Sequence, residues 1–188
     1  MVGRRARDLQ LLDALDALPR STFEGTAWRT VREGRDPLQG YPAGARWDPG
    51  TFDVIYTSLE RDGSLAEIYF HLSRQPVFPS KLVSVLHTRT VHARRTLRLA
   101  NMTEVQALGI DPARYGELSY ERTQAIGDAA YFLGFDGLIV PSARWDCQNL
   151  VLFTNQISPS DLAIESSAVV DWQAWRHATA EVKRRPRS

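Results

Sequence analysis

Leucine residues recur at helical spacing near the start of the chain and stop before Pro19. The residues of this pattern are Leu9, Leu11, Leu12, Leu15 and Leu18. Apolar residues at such spacing line one face of a helix, and proline cannot continue one, so an amphipathic helix is predicted to end here. Residues 1–22 are therefore predicted to form an N-terminal helical extension that packs on the domain or on a partner.

The following segments alternate between strand patterns and turn signals. Polar and apolar side chains alternate over residues 26–32, and residues 53–57 are rich in β-branched side chains, so both are predicted strands. Proline and glycine pairs interrupt residues 36–49, which predicts a long loop, and long loops often carry binding residues. Ser64 is predicted to cap a helix over residues 65–72, with Glu67 in its first turn.

The rest of the chain mixes strands and helices without regular alternation. Further strands are predicted at residues 81–91, 95–99, 137–140, 149–154 and 163–170. Helices are predicted from an Asn101 capping box to Leu108, at residues 120–133 and at residues 172–182. The order favours the α+β class, as a single domain at residues 23–171 with a curved, mainly antiparallel sheet flanked by helices. Residues 172–188 are assigned to a C-terminal helix and basic tail.

Composition limits the possible partners of the chain. Its 188 residues are 43% hydrophobic, which suffices for one domain with a buried core. The formal net charge is +1, so no global field attracts nucleic acid or a membrane, and neither partner is expected. The basic clusters, Arg4-Arg5-Ala6-Arg7 and residues 183–187, are interpreted as solvated termini.

Cysteine and histidine give no sign of a metal or disulfide. Cys147 is the single cysteine, so the chain cannot form an internal disulfide or a thiolate cage. His87 and His92 are five residues apart, which places them on opposite faces of one strand, and no metal site is predicted. No apolar run reaches the length of a signal peptide or a membrane span, so we expect a cytoplasmic location.

Two arginines are candidates for holding an anion. No Gly-x-Gly-x-x-Gly or Walker loop follows a strand, so a nucleotide site would have to be built from side chains. Arg29 lies on a predicted strand and Arg46 in the long loop, and a guanidinium matches phosphate oxygens with a planar set of donors. The alternative for Arg29 is a structural contact with a carbonyl or a carboxylate such as Glu33.

Glu67 is a lone acid in an apolar helical segment, so it faces a cleft, faces an arginine, or sits in a first turn favoured by the helix dipole. In a cleft, its charge suits a cationic sugar that develops as a glycosidic bond breaks. Four further candidates stay open between binding and structural roles. Tyr56 is expected either to stack on a ring of the ligand or to fill the core. Ser142 is expected to hydrogen-bond a phosphate or a ribose, or to serve only in a turn. The amides of Gln124 and Asn149 are expected to orient Glu67 or a sugar, or to support the fold.

These residues occur in an order that resembles the RES family. The matching pieces are Trp28-Arg29, Gly-Ala-Arg-Trp-Asp-Pro-Gly at 44–50, Val-Ile-Tyr-Thr-Ser at 54–58, Leu-Ala-Glu at 65–67, Thr-Gln-Ala-Ile-Gly-Asp at 123–128, and Val-Pro-Ser at 140–142 with Asn149. One departure is Asp48, where the family usually carries Asn. A negative charge there is expected to weaken anion binding by Arg46 or to change its geometry.

The resemblance implies a fold related to ADP-ribosyltransferases and an enzyme that consumes NAD as a substrate, with no permanently bound cofactor. Arg29 and Arg46 would hold the pyrophosphate, Tyr56 would stack near nicotinamide, Glu67 would act at the ribose, and Ser142 would position it. The expected function is that of a type II toxin that depletes NAD by hydrolysis or phosphorolysis of the nicotinamide–ribose bond.

The resemblance also implies a cognate antitoxin, expected to bind DNA through a helix-turn-helix. The alternatives are a protein ADP-ribosyltransferase that uses the same site and an inactive module that binds NAD or a partner. The oligomeric state stays open and includes a homo-oligomer.

Overall fold

The computed structural model describes residues 7–184, and the side chains of residues 7–180. Apart from Arg7, the basic side chains of the two termini therefore lie outside the described residues. Arg7 pairs with Asp128, with 2.6 Å between Arg7 Nε and Asp128 Oδ2. None of the helices in the described range is long and apolar enough to cross a membrane.

The described residues form five α-helices and six strands. The helices are α1 (Leu9–Asp16), α2 (Arg61–Ser73), α3 (Met102–Ala107), α4 (Glu121–Phe132) and α5 (Trp172–Arg184). The strands are β1 (Arg20–Arg32), β2 (Val54–Ser58), β3 (Ser84–Arg98), β4 (Gly137–Pro141), β5 (Gln148–Phe153) and β6 (Leu162–Val169). Short 3₁₀ turns occupy Pro112–Arg114 and Pro159–Asp161.

All six strands belong to one curved sheet in the order β1-β2-β5-β4-β3-β6. The strand β1 also pairs with β3, so the first five strands close on themselves and β6 extends the other edge of β3. Every pairing is antiparallel except β3 with β4. The prediction of a single α+β domain with a curved, mainly antiparallel sheet is confirmed.

Two apolar clusters cover opposite faces of this sheet, because successive strand residues point to opposite sides. The first joins the sheet to α1 and α4 and includes Leu11, Leu15, Ile126, Ala130, Leu138, Val140, Val151 and Phe153. The second includes Ala27, Ile55, Val91, Ala93, Ile139, Leu150 and Leu152. The predicted N-terminal helix thus packs on the domain through Leu11 and Leu15, which are fully buried.

Three boundaries differ from the sequence predictions. The strand β1 begins at Arg20, because residues 20–25 pair with the second half of β3, and it therefore crosses the predicted boundary at residue 22. Two predicted strands at 81–91 and 95–99 are one continuous strand, β3, for the same reason. The helix α2 begins at Arg61 rather than at Leu65, so Ser64 does not cap it and Glu67 lies in its second turn.

Candidate functional site

The helix α2 lies close against the sheet at the end of β1 and β2. The hydroxyls of Thr30 and Ser64 are 2.9 Å apart in a buried hydrogen bond, which explains why Ser64 is not free to act as a cap. Gly63 permits this approach, because a Cβ there would clash with Ser58 Oγ and Cys147 Sγ. The contact places the next turn of α2, which carries Glu67, beside the ends of β4 and β5.

Glu67 is held by two side chains from different strands. Its Oε1 accepts a hydrogen bond from Ser142 Oγ at 2.9 Å and another from Asn149 Nδ2 at 3.1 Å. Ser142 directly follows β4, and Asn149 lies in β5 opposite Val140 and Ser58, so sheet register brings the two side chains together. Among the described residues, Glu67 Oε2 accepts no hydrogen bond and stays available to a ligand.

The loop that carries Arg46 is organised by the buried carboxylate of Asp48. Asp48 is fully buried and accepts from the backbone N–H groups of Gly44 (2.7 Å), Ala45 (3.1 Å) and Gly50 (3.2 Å). It also accepts from the Tyr56 hydroxyl at 2.7 Å. All of these partners are donors, so the carboxylate is committed to the loop itself. Asp48 closes the loop behind Arg46 rather than standing free beside its guanidinium.

Tyr56 is part of the same network. Its hydroxyl donates to Asp48 and accepts from the Trp47 backbone N–H at 2.9 Å. Burial, followed by the charge of Asp48, raises the pKa of Tyr56 well above its ordinary value, so the hydroxyl stays protonated and can donate. This geometry gives Tyr56 a role in holding the loop, while its predicted stacking on nicotinamide stays a prediction.

The helix α4 supports the loop from the other side. Gln124 Nε2 donates to the backbone oxygen of Ala45 at 2.8 Å. One turn further along, Gly127 lies against the Trp47 carbonyl so closely that any Cβ would overlap the oxygen. Gln124 therefore contacts the loop backbone rather than Glu67, and the glycine of the Thr-Gln-Ala-Ile-Gly-Asp motif is required by packing.

Arg46 projects from this loop towards the segment before α4. Its guanidinium donates to the carbonyls of Tyr115 (2.5 Å) and Glu117 (3.2 Å) and lies about 5 Å from the ring centroids of Tyr115 and Tyr120. Tyr115 in turn donates its hydroxyl to Pro141 O at 2.6 Å, beside Ser142. A continuous set of contacts thus joins Arg46 to the residue that holds Glu67.

Arg29 lies apart from this cluster. It shares the sheet face of Ala27, whereas Thr30 and α2 occupy the opposite face. The Arg29 guanidinium is buried and donates to the carbonyls of Pro37 (2.6 Å) and Gln39 (3.1 Å). The structure therefore does not bring Arg29 to Glu67, and its contact with a pyrophosphate stays a prediction without support from this geometry.

A second buried arginine lies next to Arg29. Arg89 is fully buried and donates from Nη2 to the same Pro37 carbonyl at 2.6 Å, while its Nε and Nη1 have no partner among the described residues. Burial, followed by the charge of Arg29, lowers the pKa of Arg89 to about 10. The pair fixes the loop after β1.

Sequence reasoning missed Arg144 and His71 near Glu67. Burial lowers the pKa of Arg144, with the charges of Glu67 and Arg46 as the next influences, so the three groups share one electrostatic neighbourhood. The pKa of His71 is also lowered, first by desolvation, and both Arg144 and Glu67 act on it. His71 follows Glu67 by four residues on α2, a helical spacing that already placed the two on one face.

A large hollow adjoins this site without containing Glu67. Its volume is about 1050 Å³, and aromatic side chains of α2 and α5 line it, among them Tyr69, Phe70, Trp172 and Trp175. Phe70 and Arg144 border both the hollow and the Glu67 cluster. Polar groups converge at Glu67, whereas the hollow is mainly apolar, so the cluster around Glu67 is the candidate site.

The fold and the cluster around Glu67 define an α+β domain with a side-chain-built polar site, and the comparisons agree. The RES domain family model matches residues 26–176, so the chain belongs to the RES domain family. It is 26% identical over 170 residues to the NAD(+) phosphorylase MbcT of Mycobacterium bovis and to that of Mycobacterium tuberculosis, covering 86% of this chain and 91% of each relative. The crystal structure of the M. tuberculosis MbcT-MbcA toxin-antitoxin complex matches with a TM-score of 0.82 at 24% identity. That match covers 93% of this chain and 100% of the matched one.

Proposed function

We propose that this chain is an NAD phosphorylase of the RES type and acts as a toxin. It would break the bond between nicotinamide and ribose and transfer the ADP-ribosyl group to inorganic phosphate. The relatives named NAD(+) phosphorylase support the reaction, since they match most of this chain. The single structural observation that carries the proposal is Glu67, with Oε1 held by Ser142 and Asn149 and Oε2 left for a ligand.

The arrangement suits a reaction in which the leaving group departs early. Nicotinamide leaves with both electrons of the glycosidic bond, and positive charge develops on the ribose. A carboxylate with a fixed orientation stabilises that charge without reorganising, and its free oxygen also accepts a ribose hydroxyl. The two hydrogen bonds to Oε1 fix the orientation of the carboxylate.

Arg46 is the proposed contact for the diphosphate of NAD. Its position is fixed by two carbonyls and two aromatic rings, so it loses little conformational freedom when a phosphate binds. Contacts to this remote part of the substrate help to position the reacting bond. Ser142 and Asn149 are proposed to orient Glu67, and Tyr56 and Gln124 to hold the Arg46 loop.

The proposed partner is a cognate antitoxin, and the proposed location is the cytoplasm, where NAD and phosphate are both present. Support comes from the fold match to a toxin in complex with its antitoxin. A helix-turn-helix in that antitoxin is the finer part of the proposal. Growth arrest on expression of the chain alone, relieved by co-expression of an antitoxin that binds it, would support the proposal.

Product analysis tests the reaction. Purified protein is mixed with NAD, with and without inorganic phosphate, and the products are separated by chromatography. Nicotinamide with ADP-ribose 1″-phosphate is expected in phosphate, whereas ADP-ribose alone would indicate hydrolysis. Label from NAD on protein would indicate ADP-ribosyl transfer, and the absence of nicotinamide release would overturn the proposal.

A further inference from the structure

We propose that Arg144 binds the acceptor phosphate and so directs the reaction towards phosphorolysis rather than hydrolysis. The inference rests on the proposed function and names the residue for the second substrate. Its basis is the Ser142 hydroxyl that contacts both Glu67 and the turn of Arg144, the position of the guanidinium over the Phe70 ring, and its N–H groups, which have no partner among the described side chains.

A single side chain, the hydroxyl of Ser142, contacts both Glu67 and the backbone of Arg144. Ser142 Oγ donates to Glu67 Oε1 and accepts from the backbone N–H groups of Arg144 (3.2 Å) and Trp145 (3.3 Å). The same hydroxyl therefore orients the carboxylate and the turn that carries Arg144. A rearrangement of this turn would disturb both.

The Arg144 side chain is held by an aromatic ring and not by an acid. Its guanidinium carbon lies 3.4 Å from the centroid of the Phe70 ring, and Phe70 follows Glu67 by three residues on α2. Among residues 7–180, whose side chains the structure describes, the guanidinium donates no hydrogen bond and makes no ion pair. Stacking uses only the face of the guanidinium, so its N–H edge remains free for an anion.

Charge explains why a cation is needed at this point. The attacking phosphate oxygen must come within about 3–3.5 Å of the ribose carbon, close to the carboxylate that stabilises the same ribose. Two anions at such separations repel strongly in a partly desolvated site. Arg46 is assigned to the diphosphate of NAD. Arg144 follows Ser142, which holds Glu67, and its guanidinium has no hydrogen-bond partner among the described side chains.

The bond changes balance without a further reactant. The bond between ribose C1″ and the nicotinamide nitrogen breaks, and its electron pair neutralises the pyridinium. An oxygen lone pair of hydrogen phosphate forms the new bond to C1″, which gives the 1″-phosphate of ADP-ribose. The attacking oxygen is anionic, so no protein base has to remove a proton from it. Attack by water, in contrast, requires the removal of a proton.

Two variants and a matched control test the assignment. Arg144→Gln removes the charge, Arg144→Lys keeps the charge without the planar fork, and Arg74→Gln removes an exposed arginine that also lies over Phe70, at 5.4 Å. Binding of inorganic phosphate is measured by calorimetry at constant ionic strength, and KM for phosphate and for NAD are measured separately.

We expect Arg144→Gln to weaken phosphate binding ~10–100-fold, the scale of a lost hydrogen bond to a charged group, and Arg144→Lys to recover part of it. KM for phosphate should rise more than KM for NAD, and the share of ADP-ribose among products should increase. Arg74→Gln should change phosphate affinity less than about twofold.

Parent-like phosphate binding by folded Arg144→Gln, or equal losses in the Arg144 and Arg74 variants, would overturn the assignment. The binding measurement does not depend on turnover. If the parent released no nicotinamide, the proposed function would fail, while phosphate binding would still decide the role of Arg144.

Discussion

Replacing Glu67 with Gln removes the negative charge of the side chain and keeps its shape. Glutamine has nearly the same volume, and its side-chain oxygen can still accept from Ser142 and Asn149, the two partners of Oε1. Two hydrogen bonds change from charged to neutral at a half-buried position, so the free energy of unfolding should fall by about 1 kcal/mol or less. The protein should therefore stay folded.

The effect on catalysis should be much larger. In the proposed reaction, the charge of Glu67 acts on the cationic ribose only as the bond to nicotinamide breaks, so its removal should affect kcat more than KM for NAD. Loss of one preorganised electrostatic contact to a transition state costs on the order of 10²–10³-fold in rate. We expect a loss of this size in the rate of nicotinamide release in Glu67→Gln.

Nicotinamide release is measured by chromatography, and folding by urea denaturation, on the same preparations. Glu165→Gln is the matched control, because Glu165 is exposed on β6, and it should behave as the parent does. A folded Glu67→Gln protein that keeps more than about a third of the parent rate would refute the electrostatic role of Glu67.

Three further predictions concern the fold around the site. Asp48→Asn should lower the free energy of unfolding by about 1–3 kcal/mol in urea, because an amide offers one acceptor oxygen to the four donors around this buried side chain. An unchanged unfolding midpoint would contradict this. Gly127→Ala should lower the free energy of unfolding by about 1–3 kcal/mol or more, since the added Cβ would overlap the Trp47 carbonyl. Gly25→Ala is the control in the same assay, because a Cβ at Gly25 makes only ordinary van der Waals contacts. Arg89→Met should leave the free energy of unfolding unchanged or raise it by about 1 kcal/mol. It removes two buried donors without a partner, and the Pro37 carbonyl still accepts from Arg29. A decrease of more than about 1 kcal/mol would mean that those donors are satisfied.

The polar cluster around Glu67 was predictable because its residues lie at the ends of predicted elements that the sheet register brings together. Glu67, Ser142 and Asn149 were all selected from the sequence, and the register that pairs Asn149 with Val140 brings the last two beside α2. The same reasoning could not place Arg29. The alternating pattern of a strand shows which residues share a face of the sheet, but it does not show which face carries the site.

Side chains whose partners are backbone groups were harder to interpret. Asp48 was expected to weaken anion binding by Arg46 or to change its geometry, but its partners are three N–H groups of its own loop and a tyrosine hydroxyl. Arg144 was overlooked because an arginine in a turn belongs to no motif. Its significance comes from Phe70, which is far away in the sequence.

Four residues of the RES pattern in this chain support the Arg46 loop instead of contacting Glu67. Asp48, Tyr56, Gln124 and Gly127 all contact the loop backbone or each other. A loop tied from both sides holds its arginine in place before a ligand arrives, which reduces the entropy lost on binding. These four residues therefore report that the loop is built, whereas the proposed chemistry depends on Glu67, its donors Ser142 and Asn149, and the nearby cations. A chain of this family could keep these loop residues and lose activity through a change at Glu67 or Arg144 alone.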